Sequence, residues 1–153
     1  SGDDVFLLHN IKAKYPNSIV FAKNREAIVE TVAAKNIFQF FNQRNRWTAK
    51  STSYSDFDAL LTSIIVFAAN VVGLFFMILS IIDVSFLTYL IIYFIIKSIV
   101  DLLLLIKALN FFERKYLIKW VLPFQILYSI YVVFIVIYSF INNFEWKGRK
   151  YSK

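Results

Sequence analysis

The sequence predicts an α-helical membrane protein in which a mixed, polar region running to about Asp58 leads into a bundle of about three transmembrane helices. Apolar residues make up 59% of the 153 positions, with a mean hydropathy of +0.60, whereas an ordinary soluble domain is roughly 45–50% apolar. They are also unevenly spread, because Leu60 to Ile82 carries no formal charge and two similar runs follow it. The 17 Lys and Arg outnumber the 10 Asp and Glu, giving +7. Such a balance suits nucleic acid, anionic lipid or a phosphorylated substrate; in so apolar a chain, lipid headgroups and positive-inside topology explain it, and no nucleic-acid partner is expected. Cysteine is absent, which excludes a disulfide framework and any thiolate nucleophile or metal site.

Residues 1–33 begin with a short helix, Asp3 to Lys14. Ser1 or Gly2 can cap it, Asp3 and Asp4 fill its first turn, and Leu7, Leu8 and Ile11 form an apolar face. Tyr15-Pro16-Asn17-Ser18 ends it, since proline cannot continue the ladder and asparagine tolerates turns. Ile19 to Ala22 and Ala27 to Val32 read as two short strands around Lys23-Asn24-Arg25, the second equally readable as helix. Residues 34–58 form an amphipathic interface helix and its linker. From Ala34 to Ala49, Ile37, Phe38, Phe40, Phe41 and Trp47 recur at three- and four-residue spacing, while Gln39, Gln43 and Arg46 gather on a neighbouring face. A helix this aromatic with basic flanks lies in the headgroup layer.

Residues 60–141 supply the spans 60–82, 86–106 and 120–141. About 20 helical residues cross the roughly 30 Å hydrocarbon core, and only helices satisfy their own backbone in lipid. Asp83 and Ser85 mark the first connection and a basic loop, Lys107 to Lys119, the second. Tyr116, Trp120 and Trp146 fit interfacial anchoring. With the interface helix in the cytosol, the loop bearing Lys107, Arg114, Lys115 and Lys119 also falls inside, as the Lys/Arg bias requires. Three full crossings would then put the basic tail, residues 142–153, outside. Either the rule fails for this tail or one apolar segment is re-entrant, and Pro123 points to a broken third helix.

Gln43-Arg44-Asn45-Arg46-Trp47 just before the first span, with Gly2-Asp3-Asp4 upstream, resembles the Q-x-x-R-W and x-E-D signatures of membrane-integrated family 2 glycosyltransferases. That family includes the cellulose, hyaluronan and ceramide-glucoside synthases. Trp146-Lys147-Gly148-Arg149-Lys150-Tyr151 resembles the W-x-G-R-x-Y ending of some members. The resemblance implies that residues 1–33 end a cytosolic α/β catalytic domain of GT-A type, and that the chain, which opens directly on a motif, is the carboxy-terminal part of a longer enzyme. It implies Asp4 as the general base and Asp3 in the position of the motif's usual Glu, shaping the acceptor site. Arg46 would hold the donor diphosphate, Trp47 would lie beneath the acceptor sugar, and Gln43 would help build that site. The parent would use a nucleotide sugar, UDP-linked, with divalent Mg or Mn bound upstream of this chain, and would glycosylate a growing polysaccharide or a lipid. The location implied is a bacterial inner or plasma membrane, with the catalytic part cytosolic.

These residue types suit that chemistry. Sugar transfer needs a base for the acceptor hydroxyl and positive charge for the departing diphosphate. A helix amino terminus favours the ionised form of a carboxylate, guanidinium is a forked permanent cation, and indole offers an apolar face to a pyranose. Gln43, Arg46 and Trp47, three and four apart, can share one cleft while Arg44 and Asn45 point elsewhere. Each motif also has a plainer reading: acids that cap a helix, snorkelling Arg and anchoring Trp, and a basic juxtamembrane tail. Lys147 and Arg149 are candidate phosphate or headgroup contacts. Lys97 and Asp101, four apart inside the second span, can pair; groups so placed line a path for acceptor or lipid, or form a structural ion pair. His9 reads as ordinary surface. The rival to the transferase is a non-enzymatic accessory or transport subunit whose basic helix binds lipid or a partner.

Overall fold

The computed structural model describes residues 3–51, 54, 56–146 and 149–151, with side chains to residue 143. In chain order it contains α1 (Asp3–Lys14), α2 (Ile37–Ser51), α3 (Phe57–Ile82), α4 (Leu87–Phe111), α5 (Val121–Ile141), β1 (Phe144–Trp146) and β2 (Arg149–Tyr151). Three helical stretches, Phe57–Ile82, Val84–Phe111 and Lys115–Ile141, are long and apolar enough to cross a membrane. The contacts form two compact units, Ser1–Thr62 with Ile135–Lys153 and Ser63–Phe134.

In the first unit, α1 has the bounds the sequence indicates; the expected caps Ser1 and Gly2 lie outside the described residues. Its inward face differs from the expected one. Leu7 and Leu8 are exposed, whereas Phe6 and His9 meet Tyr54 edge-on, with ring centroids 5.8 and 5.0 Å away. One turn further on, Lys12 Nζ lies 2.7 Å from Asp56 Oδ2 and 2.6 Å from Asp58 Oδ2. Asn17, at φ 68°, takes the left-handed conformation that lets the chain leave the helix.

The expected strands at Ile19–Ala22 and Ala27–Val32 do not form. Asn24 instead caps a 3-10 turn, Arg25–Ala27, its Oδ1 accepting from the Glu26 N–H at 3.1 Å. A strand exists only by pairing with another, and neither segment forms a strand ladder among the described residues; Val20, Val29 and Val32 are more than 80% exposed.

Helix α2 starts three residues later than Ala34. Asn36 Oδ1 accepts from the Gln39 N–H at 2.8 Å, and Gln39 Oε1 accepts from the Lys35 N–H at 3.1 Å. This reciprocal arrangement satisfies donors that a helix start leaves open. The tail forms an antiparallel hairpin pairing Phe144 with Tyr151, Glu145 with Lys150 and Trp146 with Arg149. Strand β1 packs on α2.

Asp56 Oδ1 accepts from the Ala59 N–H at 3.0 Å and so starts α3 three residues before Leu60. Asp83 likewise caps the turn after α3 through the Ser85 N–H at 2.8 Å. Helix α4 runs past the expected Ile106 to Phe111, because Lys107 ends the apolar run without interrupting the backbone ladder. It stops where Glu113 turns left-handed at φ 57° and the Arg114 N–H reaches back to the Leu109 carbonyl at 2.8 Å. Pro123 does not break α5, since it lies in the first turn, where a missing N–H costs nothing.

In the second unit most inward positions are polar or small, with Val132 and Val133 as buried apolar residues. Asn70 and Ser129 are essentially inaccessible, while Ile95 and Leu103 face outward. Such an arrangement suits surroundings as apolar as the outer surface itself. Gly73 is the point of close approach: a β-carbon there would lie 2.8 Å from Tyr93 Cε1 and 3.2 Å from Ser129 Oγ.

Candidate functional site

The residues singled out by sequence fall into three groups. Asp3 and Asp4 occupy the exposed first turn of α1. Gln43, Arg46 and Trp47 share one side of α2, Gln43 and Arg46 half-buried and Trp47 46% exposed. Lys97 and Asp101 pair in α4 at 2.6 Å. Arg149 belongs to β2, its side chain outside the described residues, and Lys147 lies outside them altogether.

One neighbour in α2 behaves differently from expectation, and another is held by the tail. Arg44 does not point away from the motif: its guanidinium carbon lies 4.6 Å from the Trp47 ring centroid and 5.1 Å from that of Phe40. One turn of helix brings i−4 and i+3 under the same side chain, and a weakly hydrated planar cation favours aromatic faces. Asn45 is 1% exposed and donates from Nδ2 to the Asn143 carbonyl at 3.2 Å. It therefore ties the motif helix to the start of the tail. Asn45 Oδ1, Arg44 Nε and His9 Nδ1 are buried polar atoms without a hydrogen-bond partner among the described residues. His9 is thus part of the α1 packing face and not ordinary surface.

Charge in this unit is ordered around Lys12. Its hydrogen bonds to Asp56 and then Asp58 raise its pKa above the usual lysine value, and the bond from Lys12 is the main reason the Asp56 carboxyl titrates below the usual range. At the turn after α3, the Ser85 N–H lowers the pKa of Asp83. Among the described residues no three His, Asp or Glu side chains converge as metal ligands would.

Inside the spans, sequence reasoning found two members of a three-residue network. Lys97 Nζ donates to Asp101 Oδ2 at 2.6 Å and to Gln125 Oε1 at 3.0 Å, and Gln125 Nε2 donates to Asp101 Oδ2 at 2.7 Å. Lys97 also lies 5.3 Å from the Tyr128 ring centroid. A layer beneath, Tyr93 donates its hydroxyl to the Ala69 carbonyl, Asn70 Nδ2 donates to the Val66 carbonyl at 2.7 Å, and Ser129 Oγ lies 3.0 Å from Asn70 Oδ1. The missed members had a signal: Asn70 and Gln125 are the lone amide side chains of α3 and α5.

No family model, curated protein or solved structure matches the chain. What the fold defines is a helical chain with three helices long and apolar enough to cross a membrane, as in an integral membrane protein.

Proposed function

We propose that the chain is the acceptor-side part of a membrane-bound, inverting glycosyltransferase whose donor-binding half, with its divalent metal, precedes Ser1. Asp4 takes the proton of an acceptor hydroxyl as that oxygen attacks the anomeric carbon of a nucleotide sugar, UDP-linked, from the face opposite the leaving diphosphate. Arg46 holds the diphosphate, and Gln43 and Trp47 form the floor for the acceptor, a growing polysaccharide or a lipid. The catalytic part is on the cytosolic side of a bacterial inner or plasma membrane.

The observation that carries this reading is α2 itself. Gln43, Arg46 and Trp47 fall on one side of a regular helix just before the first apolar span, and the adjacent Arg44 and Asn45 are held by Phe40, Trp47 and Asn143. Arg44 covers one indole face while Trp47 keeps nearly half its surface open, as a sugar platform needs. The exposed valines at positions 20, 29 and 32, outside any apolar helix, suit a surface that the catalytic domain would cover.

The test is nucleoside diphosphate release by membranes containing the longer polypeptide, over a panel of nucleotide sugars. One donor should support release, Asp4→Asn should lower the rate by about 10²–10⁴-fold as expected for loss of a general base, and Trp47→Ala should raise the acceptor KM. Equal background on every donor from all three well-expressed proteins would transfer the weight to an accessory membrane subunit.

A further inference from the structure

The second unit contains a cavity of about 670 Å³ between α3, α4 and α5. Its volume falls within the roughly 300–1,000 Å³ typical of ligand sites. Ile65, Val100, Leu104 and Phe124 represent its apolar wall, and Lys97, Asp101 and Gln125 supply its main polar group. Lys97 follows Leu87 by ten residues, about 15 Å at 1.5 Å per residue, which is half of a roughly 30 Å hydrocarbon core. The cavity therefore offers an apolar volume with a hydrogen-bonding cluster at mid-span depth.

The unused valences of that cluster specify a ligand. An ammonium has three donors, and Lys97 spends two, on Asp101 Oδ2 and Gln125 Oε1. Asp101 receives both of its bonds on Oδ2, leaving Oδ1 as an acceptor. One ammonium hydrogen and Asp101 Oδ1 remain outside these bonds, on a pair with no net charge. A hydroxyl, which donates and accepts at once, satisfies both. A phosphate would meet the Asp101 carboxylate and an ammonium would meet Lys97, and either would have to carry its charge to the bilayer centre.

We propose that this cavity binds a long-chain lipid with a neutral hydroxyl head, its chain along the α3–α4–α5 wall and its hydroxyl bridging Lys97 and Asp101. The proposal stands apart from the transferase reading, since its test needs no donor sugar.

The test is photolabelling of the full chain in nanodiscs with three matched probes carrying a diazirine in the acyl chain: a diacylglycerol, its methyl ether and the corresponding phosphatidic acid. The diacylglycerol should label cavity-wall peptides roughly fivefold more than the ether, the worth of one net hydrogen bond, and more than the phosphatidic acid. Val100→Trp, which places an indole in the cavity, should suppress labelling of these peptides. The paired replacement Lys97→Met with Asp101→Leu should keep chain labelling and lose the hydroxyl preference. Equal labelling by diacylglycerol and ether in the wild type, preference for phosphatidic acid, or labelling indifferent to Val100→Trp would each overturn the proposal.

Discussion

The two units both bury polar side chains, but they treat them differently. In the second, Lys97, Asp101, Gln125, Asn70 and Ser129 engage one another or a backbone carbonyl, and Ser98 Oγ is the one buried side-chain polar atom of that unit's described residues without a partner. In the first, Arg44 Nε, Asn45 Oδ1 and His9 Nδ1, on α1 and α2, all lack one among the described residues. A buried polar atom left unsatisfied costs about 1–3 kcal/mol. The spans thus engage nearly all of their buried polar side chains with one another or with backbone, while three buried polar atoms of α1 and α2 find no partner among the described residues. Among the described residues, the spans are the more self-sufficient of the two units in hydrogen bonding.

The largest effect should come from opening the network of the spans. Lys97→Met alone strands Asp101 inside the bundle and should cost about 3 kcal/mol, read as unfolding in mixed micelles. Lys97→Met with Asp101→Leu should cost far less, because removing both charges also removes their desolvation penalty. Equal losses would show the pair to be a stabilising element rather than a self-compensating one.

Next comes Gly73. Gly73→Leu places branched carbon where a β-carbon alone would already be 2.8 Å from Tyr93, and Tyr93 cannot swing aside without losing the Ala69 carbonyl. A destabilisation of about 2 kcal/mol is expected from such overpacking, with Gly73→Ala giving less. No change for the leucine variant would mean the helices do not approach closely at this point.

In the first unit, Asn45→Leu should cost about 1 kcal/mol or less, because it removes both the bond to Asn143 and the unsatisfied Oδ1. Its clearer readout is position. A 3.2 Å bond cannot reach across a bilayer, so the tail and α2 should share one side, and one apolar helix should then fail to cross fully. The chain has no native cysteine, so Lys14→Cys and Ser152→Cys should react with an impermeant reagent from the same side. Labelling from opposite sides would restore three full crossings and exclude the Asn45 contact in the membrane.

The smallest effect concerns pH. Asp56 titrates below its ordinary value in the folded chain, so its tie to Lys12 is fully present above the ordinary carboxylate pKa and is lost as pH falls through the lowered one. Lys12 titrates above its ordinary value, so its contribution is present below the ordinary lysine pKa and disappears as pH rises through the raised one. The protection of α1 amides relative to their intrinsic exchange rates should therefore be flat through neutrality and fall at both extremes, and Asp56→Asn should remove the acid limb. An acid limb unchanged in that variant would assign it elsewhere.

Local rules made much of this fold legible. Apolar length marked α3, α4 and α5, and proline after an acid-led run marked α1. Boundaries moved where a side chain intervened, as Asn36 did for α2 and Asp56 for α3. The strand expectation failed because β-branched composition in Val20, Val29 and Val32 cannot supply a pairing partner. The Lys97/Asp101 pair was readable from a four-residue spacing, whereas Gln125 joins it from 24 residues beyond Asp101. Arg44 departs from expectation for a related reason: helical spacing says which residues share a side, and only the surrounding packing says where a long side chain lies.

The transferase reading is tested most directly by following the sugar itself. Membranes with the longer polypeptide and a labelled donor should transfer sugar to lipid or polymer in amounts equal to the nucleoside diphosphate released, with both lost in Asp4→Asn. Diphosphate release that persists in Asp4→Asn, or that proceeds without sugar appearing in any acceptor, would contradict Asp4 as the base and with it the acceptor-side assignment of this chain.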